Sequence, residues 1–125
     1  METEKFRQIV TLAIDDLPDE FRNALDNIEI VIEDDPSPTQ AKQFEKRNSG
    51  KMLLLGLYQG IPKGKRDPQF YSGVLPDKIT LFKKSIEKYC GNNEQVMIDQ
   101  IQKTLLHEIG HYFGMKDKEL RKLGY

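Results

Sequence analysis

The chain has 125 residues, 38% of them hydrophobic and 31% charged, with a formal net charge of −1. That length holds one domain with one core, and the composition is globular rather than disordered. A near-neutral balance excludes bulk attraction to nucleic acid or a membrane surface, and the longest apolar run, residues 52–55, is far too short to span a bilayer.

The opening Met1-Glu2-Thr3-Glu4 has neither a basic nor an apolar leader character, which points to a cytoplasmic protein. Phe6, Ile9, Val10, Ala13, Ile14 and Leu17 recur at helical spacing and predict an amphipathic helix over 3–17, stopped by Pro18. A short helical piece at 19–26 leads into Ile28-Glu29-Ile30-Val31-Ile32-Glu33, whose alternation and β-branching predict a strand. Asp34-Asp35-Pro36-Ser37-Pro38 is a loop on composition. Its two carboxylates suit a solvated turn better than a second metal site. Residues 39–50 are polar and mobile in expectation, with at most one helical turn around Ala41 and Phe44.

The apolar run 52–58 is short enough for a buried strand, and 78–83 is the third strand candidate. Between them, residues 60–76 form a long loop punctuated by Gly, Pro, Lys and Arg, of a length more often functional than idle. Cys90, the lone cysteine, excludes an internal disulfide and fits a reducing compartment. It reads as a half-buried structural thiol ahead of a nucleophile or thiolate ligand. Gly91-Asn92-Asn93 then precedes the longest predicted helix, 94–113, with Asn93 as N-cap, and a final short helix at 118–123 ends at Gly124-Tyr125. Of the charges, 11 acidic and 3 basic side chains fall in residues 1–40, against 9 and 16 in 41–125. That division gives an acidic and a mildly basic flank, either two solvated faces or a field across a cleft.

The long helix carries the chemistry. Ile98, Ile101, Leu105, Ile109 and Tyr112 form one apolar stripe that should pack on the sheet. His107 and His111, the only two histidines, lie one turn apart and away from that stripe, so both imidazoles can reach one metal ion. Glu108 between them is the residue that a zinc hydrolase uses as general base on an activated water. Gly110 leaves room beside the histidines for another segment. Gly114 can end the helix in a left-handed conformation and return the chain, bringing Asp117 toward the imidazoles. Asp117 is then either a third ligand or the N-cap of the last helix, and the return path at Gly114 favours ligation. Two imidazoles and a carboxylate leave a fourth position open, the pattern of catalytic rather than structural zinc. A bare HExxH arises by chance in about one chain in a few hundred of this length, and the added Gly114 and Asp117 lower that by roughly two orders of magnitude.

The signature HExxHxxGxxD at His107, Glu108, His111, Gly114 and Asp117 resembles that of the small zincin-like metallopeptidase family. So do three flanks: Gly-Leu-Tyr-Gln-Gly-Ile-Pro at 56–62, Leu-Pro-Asp-Lys-Ile-Thr-Leu-Phe at 75–82, and Asp-Lys-Glu-Leu-Arg-Lys-Leu-Gly-Tyr at 117–125. The likeness runs from about residue 52 to the end and is weaker before it. It implies an α+β minimal zincin: a small three- to four-stranded mixed sheet backed by an N-terminal helix, with the metal helix lying across it and a short C-terminal helix. It also implies zinc at the residues named and cleavage of a peptide or protein substrate. Only eight residues follow Asp117, so the methionine turn of metzincins has no room there, and Met115 lies inside the signature. The lower subdomain of larger peptidases is missing too. Substrate would be held by the 60–76 loop and a strand edge, through addition of an extended peptide to the sheet. Tyr71, Arg66 and Lys65 are the candidates there to orient a carbonyl or carboxylate.

Two other functions compete. The shortened cleft suits a metal-binding regulatory module without catalysis. A metal-dependent RNA hydrolase is the third: the bacterial rRNA-maturation endoribonuclease family also has two histidines four apart followed by glycine. That family, however, has histidine where this chain has Asp117, and no glutamate after the first histidine. Lys63, Lys65 and Arg66 are too few to argue for RNA. No membrane partner is expected, and the sequence leaves the oligomeric state open.

Overall fold

Two periodicities build the molecule, 2 in the strands and 3.6 in the helices. The computed structural model describes residues 1–42, 53–60 and 77–125. Along the chain come α1 (Thr3–Asp15), α2 (Asp19–Leu25), β1 (Glu29–Glu33), β2 (Gly56–Gln59), β3 (Lys78–Phe82), α3 (Lys83–Cys90), α4 (Glu94–Tyr112) and α5 (Asp117–Lys122). A helical turn over 38–42 follows the bend at Asp34 and Asp35. The rest of the polar 39–50 segment and nearly all of the 60–76 loop, with Lys65, Arg66 and Tyr71, lie outside the described residues.

The three strands form a mixed sheet in the order β1-β3-β2, with β1 parallel and β2 antiparallel to β3. Register aligns Ile30, Ile79 and Tyr58 in one cross-strand row and Ile32, Leu81 and Gly56 in the next, all on one face. That face meets the apolar side of α4 (Met97, Ile101, Leu105, Ile109) and of α1 (Phe6, Ile9, Val10, Ala13) in a single core. Burial of these side chains, at about 25 cal/mol per Å² of apolar area, is the main force holding the helices to the sheet. α1 lies chiefly along α4, and α4 also touches β2, α2, α3 and α5, so the long helix is the hub of the fold. This is the α+β arrangement expected, with an N-terminal helix, a central long helix and a short C-terminal one. Among the described residues no helix is long and apolar enough to cross a membrane.

Three expectations need correction. The second strand covers Gly56–Gln59 rather than 52–58; Leu55 still accepts a hydrogen bond from the Phe82 N–H (2.9 Å), but the strand proper begins after it. α3 has no counterpart among the predicted elements. It follows β3 without a linker and buries one apolar side chain, Ile86, leaving no stripe to read; the Lys83–Glu87 ion pair one turn apart (2.8 Å) supports it. In α4 the stripe begins at Met97, fully buried, with Ile98 only partly so.

Candidate metal centre

Small residues bring α4 against the edge strand. A Cβ on Gly56 would stand 2.7 Å from Thr104 Cγ2, so only glycine lets the helix cross β2 this closely. From that crossing, four helical residues advance about 6 Å and two strand residues about 6.7 Å. Glu108 therefore comes level with Tyr58. The Leu55–Phe82 bond and the alternation of an antiparallel ladder turn the Tyr58 N–H away from β3, and it donates instead to Glu108 Oε1 at 2.7 Å. One turn further, Tyr112 meets the Tyr58 ring edge-on, at 6.1 Å between centroids. The carboxylate is thus oriented by a main-chain group that no substitution at position 58, proline apart, removes.

Glu108 is 7% exposed. Burial pushes its carboxyl above the ordinary carboxylate range, while the neighbouring His111 and His107 and the Tyr58 N–H pull it back down and Asp117 adds to the rise.

The turn after α4 returns the chain as the glycine at 114 predicts. Gly114 adopts φ +87, its N–H bonds the His111 carbonyl (2.9 Å), and the Met115 N–H bonds the Gly110 carbonyl (2.9 Å). These two bonds make a Schellman motif. α5 then packs back on α4 through Leu120, whose Cδ2 lies 2.2 Å from where a Cβ on Gly110 would be. The space that Gly110 leaves is filled by this neighbouring helix. Lys116, not Asp117, takes the N-cap position of α5, and Asp117 is its first helical residue.

The outcome is convergence. Asp117 Oδ1 lies 2.9 Å from His107 Nε2 and 2.8 Å from His111 Nε2, and the two rings stand 4.8 Å apart, nearly perpendicular. Each ring's other nitrogen faces a main-chain oxygen: His111 Nδ1 is 2.8 Å from the Met115 carbonyl, His107 Nδ1 3.2 Å from the main-chain oxygen of Tyr125. A main-chain oxygen only accepts, so each Nδ1 is placed to donate to it, and each Nε2 faces the Asp117 oxygen. Two imidazole nitrogens gathered on one carboxylate oxygen are ligand types of zinc brought to a single point, which fits a cation. Ligand atoms on a tetrahedral ion with bonds of about 2.0 Å stand about 3.3 Å apart. Widening the two Nε2–Oδ1 separations by roughly 0.5 Å brings them to that spacing. Ligand atoms of His107, Glu108 and His111 also lie within 4.8 Å of one another. The Asp117 oxygen is the closer third donor, since Glu108 Oε1 is engaged by Tyr58.

Of the other predicted positions, Asp34 and Asp35 gather no third ligand among the described residues; Asp35 stands 3.9 Å from Lys84 Nζ. Cys90 is half-buried, with Sγ 3.9 Å from the Val96 carbonyl, and burial pushes its thiol up. The contributions of Tyr58, Met115 and Tyr125 escape sequence reasoning, because they act through main-chain atoms that every residue type shares. Only the glycines that set the turns at 114 and 124 hint at two of them.

Comparison with known proteins agrees with the motif. A family model described as zincin-like metallopeptidase matches residues 25–125. No curated protein matches the chain. Among solved structures, a conserved hypothetical protein from Thermo thermophilus is similar at 21% identity and a TM-score of 0.52, over 98% of this chain and 97% of that one. At that identity the likeness speaks for the fold alone.

Proposed function

Because the chain belongs to the zincin-like metallopeptidase family, we propose that it hydrolyses a peptide or amide bond, with zinc held by His107, His111 and Asp117 and with Glu108 as the proton carrier. The observation that carries this is the meeting of both Nε2 atoms on one Asp117 oxygen, one residue along the helix from a buried glutamate. Zinc, when bound, supplies Lewis acidity, which makes water a nucleophile near neutral pH and polarises a carbonyl.

The chain's own groups do the rest. Tyr58 N–H fixes Glu108 through Oε1 and leaves Oε2 to take a proton from the attacking water. The same oxygen returns that proton to the leaving amine. Burial raises the basicity of the carboxylate, which favours acceptance of that proton. Among the described residues β2 is an edge strand, and Tyr58 on it meets Glu108, which supports an extended peptide added to that edge as the substrate.

The test is Glu108→Gln in zinc-loaded protein against a peptide library. Retained zinc with turnover reduced by at least 10²-fold is expected, from the usual worth of a general base. Equal turnover in the variant and the wild type, or cleavage that survives a chelator, rules the proposal out.

A further inference from the structure

Both imidazoles are held by the same device. After α4, Gly114 and Met115 close a Schellman motif and the Met115 carbonyl takes the His111 Nδ1–H. After α5, Gly124 adopts φ +90, its N–H bonds the Arg121 carbonyl (3.1 Å), and the Tyr125 N–H bonds the Leu120 carbonyl (3.0 Å). That is the same pair of bonds, and again the residue after the glycine offers its main-chain oxygen to a histidine, here His107 Nδ1 at 3.2 Å. We infer that the Gly124–Tyr125 turn is part of the metal centre, its main-chain oxygen holding His107 in the tautomer and orientation that present Nε2 to a metal ion.

The physical argument concerns rotation. A histidine on a helix turns freely about χ2 unless the nitrogen away from the metal is anchored, and such anchoring partners typically contribute 10–100-fold in metal affinity. His107 lies a turn earlier on α4 than His111, too far from the Gly114 turn to share the Met115 carbonyl, which His111 already occupies. α5 solves this by running back along α4: Leu120 anchors it in the Gly110 gap, Asp117 at its start reaches both Nε2 atoms, and the turn at its end reaches His107. The short helix thus holds His107 from both sides of the ring. The function belongs to the turn and to the main chain, not to the tyrosine ring.

The inference rests on His107 as a ligand, and the experiment separates the two. Zinc affinity is measured by competition with a chromophoric chelator for wild type, His107→Ala, Gly124→Pro, Tyr125→Ala and a chain lacking Tyr125. Proline fixes φ near −65° and lacks the N–H, so it cannot make this turn. Gly124→Pro and the shortened chain are expected to bind zinc 10–100-fold more weakly. Tyr125→Ala, which keeps the main-chain oxygen, stays within about 3-fold of wild type. In metal-free protein, ¹⁵N spectra report the His107 tautomer directly: Nδ1–H in wild type and Tyr125→Ala, lost to a mixture in the other two. Wild-type affinity in both Gly124→Pro and the shortened chain, with an unchanged tautomer, overturns the inference alone. A wild type that binds no zinc, or a His107→Ala that binds as well as wild type, overturns the ligand assignment and with it this proposal.

Discussion

Gly110→Ala probes the contact that sets α5, and with it Asp117, against the histidines. The added methyl would lie 2.2 Å from Leu120 Cδ2 and 3.1 Å from both Cδ1 and Cγ, where carbon atoms ordinarily stand about 3.5–4.0 Å apart. Leu120 is 1% exposed, so it has no solvent to swing into, and the 3.1 Å contact at Cγ survives any change of its outer rotamer. Overpacking of this kind costs about 1–3 kcal/mol. Removing a mid-helix glycine returns about 1 kcal/mol of helix propensity. The net is a destabilisation of about 0–2 kcal/mol, read by urea denaturation of metal-free protein. A double-mutant cycle isolates the steric part: in a Leu120→Ala background the clash disappears and Gly110→Ala should stabilise by about 1 kcal/mol, a coupling of about 1–3 kcal/mol. If Gly110→Ala instead stabilises the wild-type background by its full propensity gain, Leu120 does not fill that space and the account of how α5 is held is wrong.

Gly56→Ala tests the helix crossing at the edge strand. With Thr104 Cγ2 at 2.7 Å and the Thr80 carbonyl at 3.3 Å from the new methyl, about 1–3 kcal/mol of stability should be lost, and a melting temperature unchanged from wild type would contradict the crossing. Asn93→Ala removes the side chain that accepts the Val96 N–H (3.1 Å), and chemical denaturation should show a loss of about 0.5–2 kcal/mol, with Asn93→Gly losing only a few tenths. Glu108 governs a pH dependence in metal-free protein. Its folded pKa is raised above the unfolded value of about 4.3, so its contribution to stability is fully present below that pH and is lost as pH rises through the folded value. Glu108→Gln lacks that loss; its stability relative to wild type should therefore increase from pH 4 to pH 7, and a constant difference would show that burial does not perturb this carboxyl.

What the sequence shows about the site is what side chains encode. His107, Glu108, His111 and Asp117 are recognisable because few residue types do their chemistry and because the helical period and Gly114 together imply convergence. α4 is legible from its stripe and from Asn93. α1 and β3 are legible from long runs of consistent spacing, and their ends shift by only one or two residues. α3 escapes because one buried isoleucine sets no period. β2 is displaced because Leu53, Leu54 and Leu55 are as apolar as a strand, yet the ladder begins at the glycine that admits α4. The pairing of β1 with β3, across β2 in chain order, depends on the whole fold rather than on any local pattern. The main-chain oxygens that fix both histidines and the N–H that fixes Glu108 carry no residue signature at all.

Zinc titration of the purified chain, stripped of metal and compared with its Asp117→Ala variant, tests the central claim most directly. The structure predicts one zinc ion per chain in wild type and a loss of affinity in Asp117→Ala at least as large as the 10–100-fold that outer hydrogen-bonding partners of a ligand typically contribute. Stoichiometric binding of equal strength in both proteins, or no zinc binding by wild type, contradicts it.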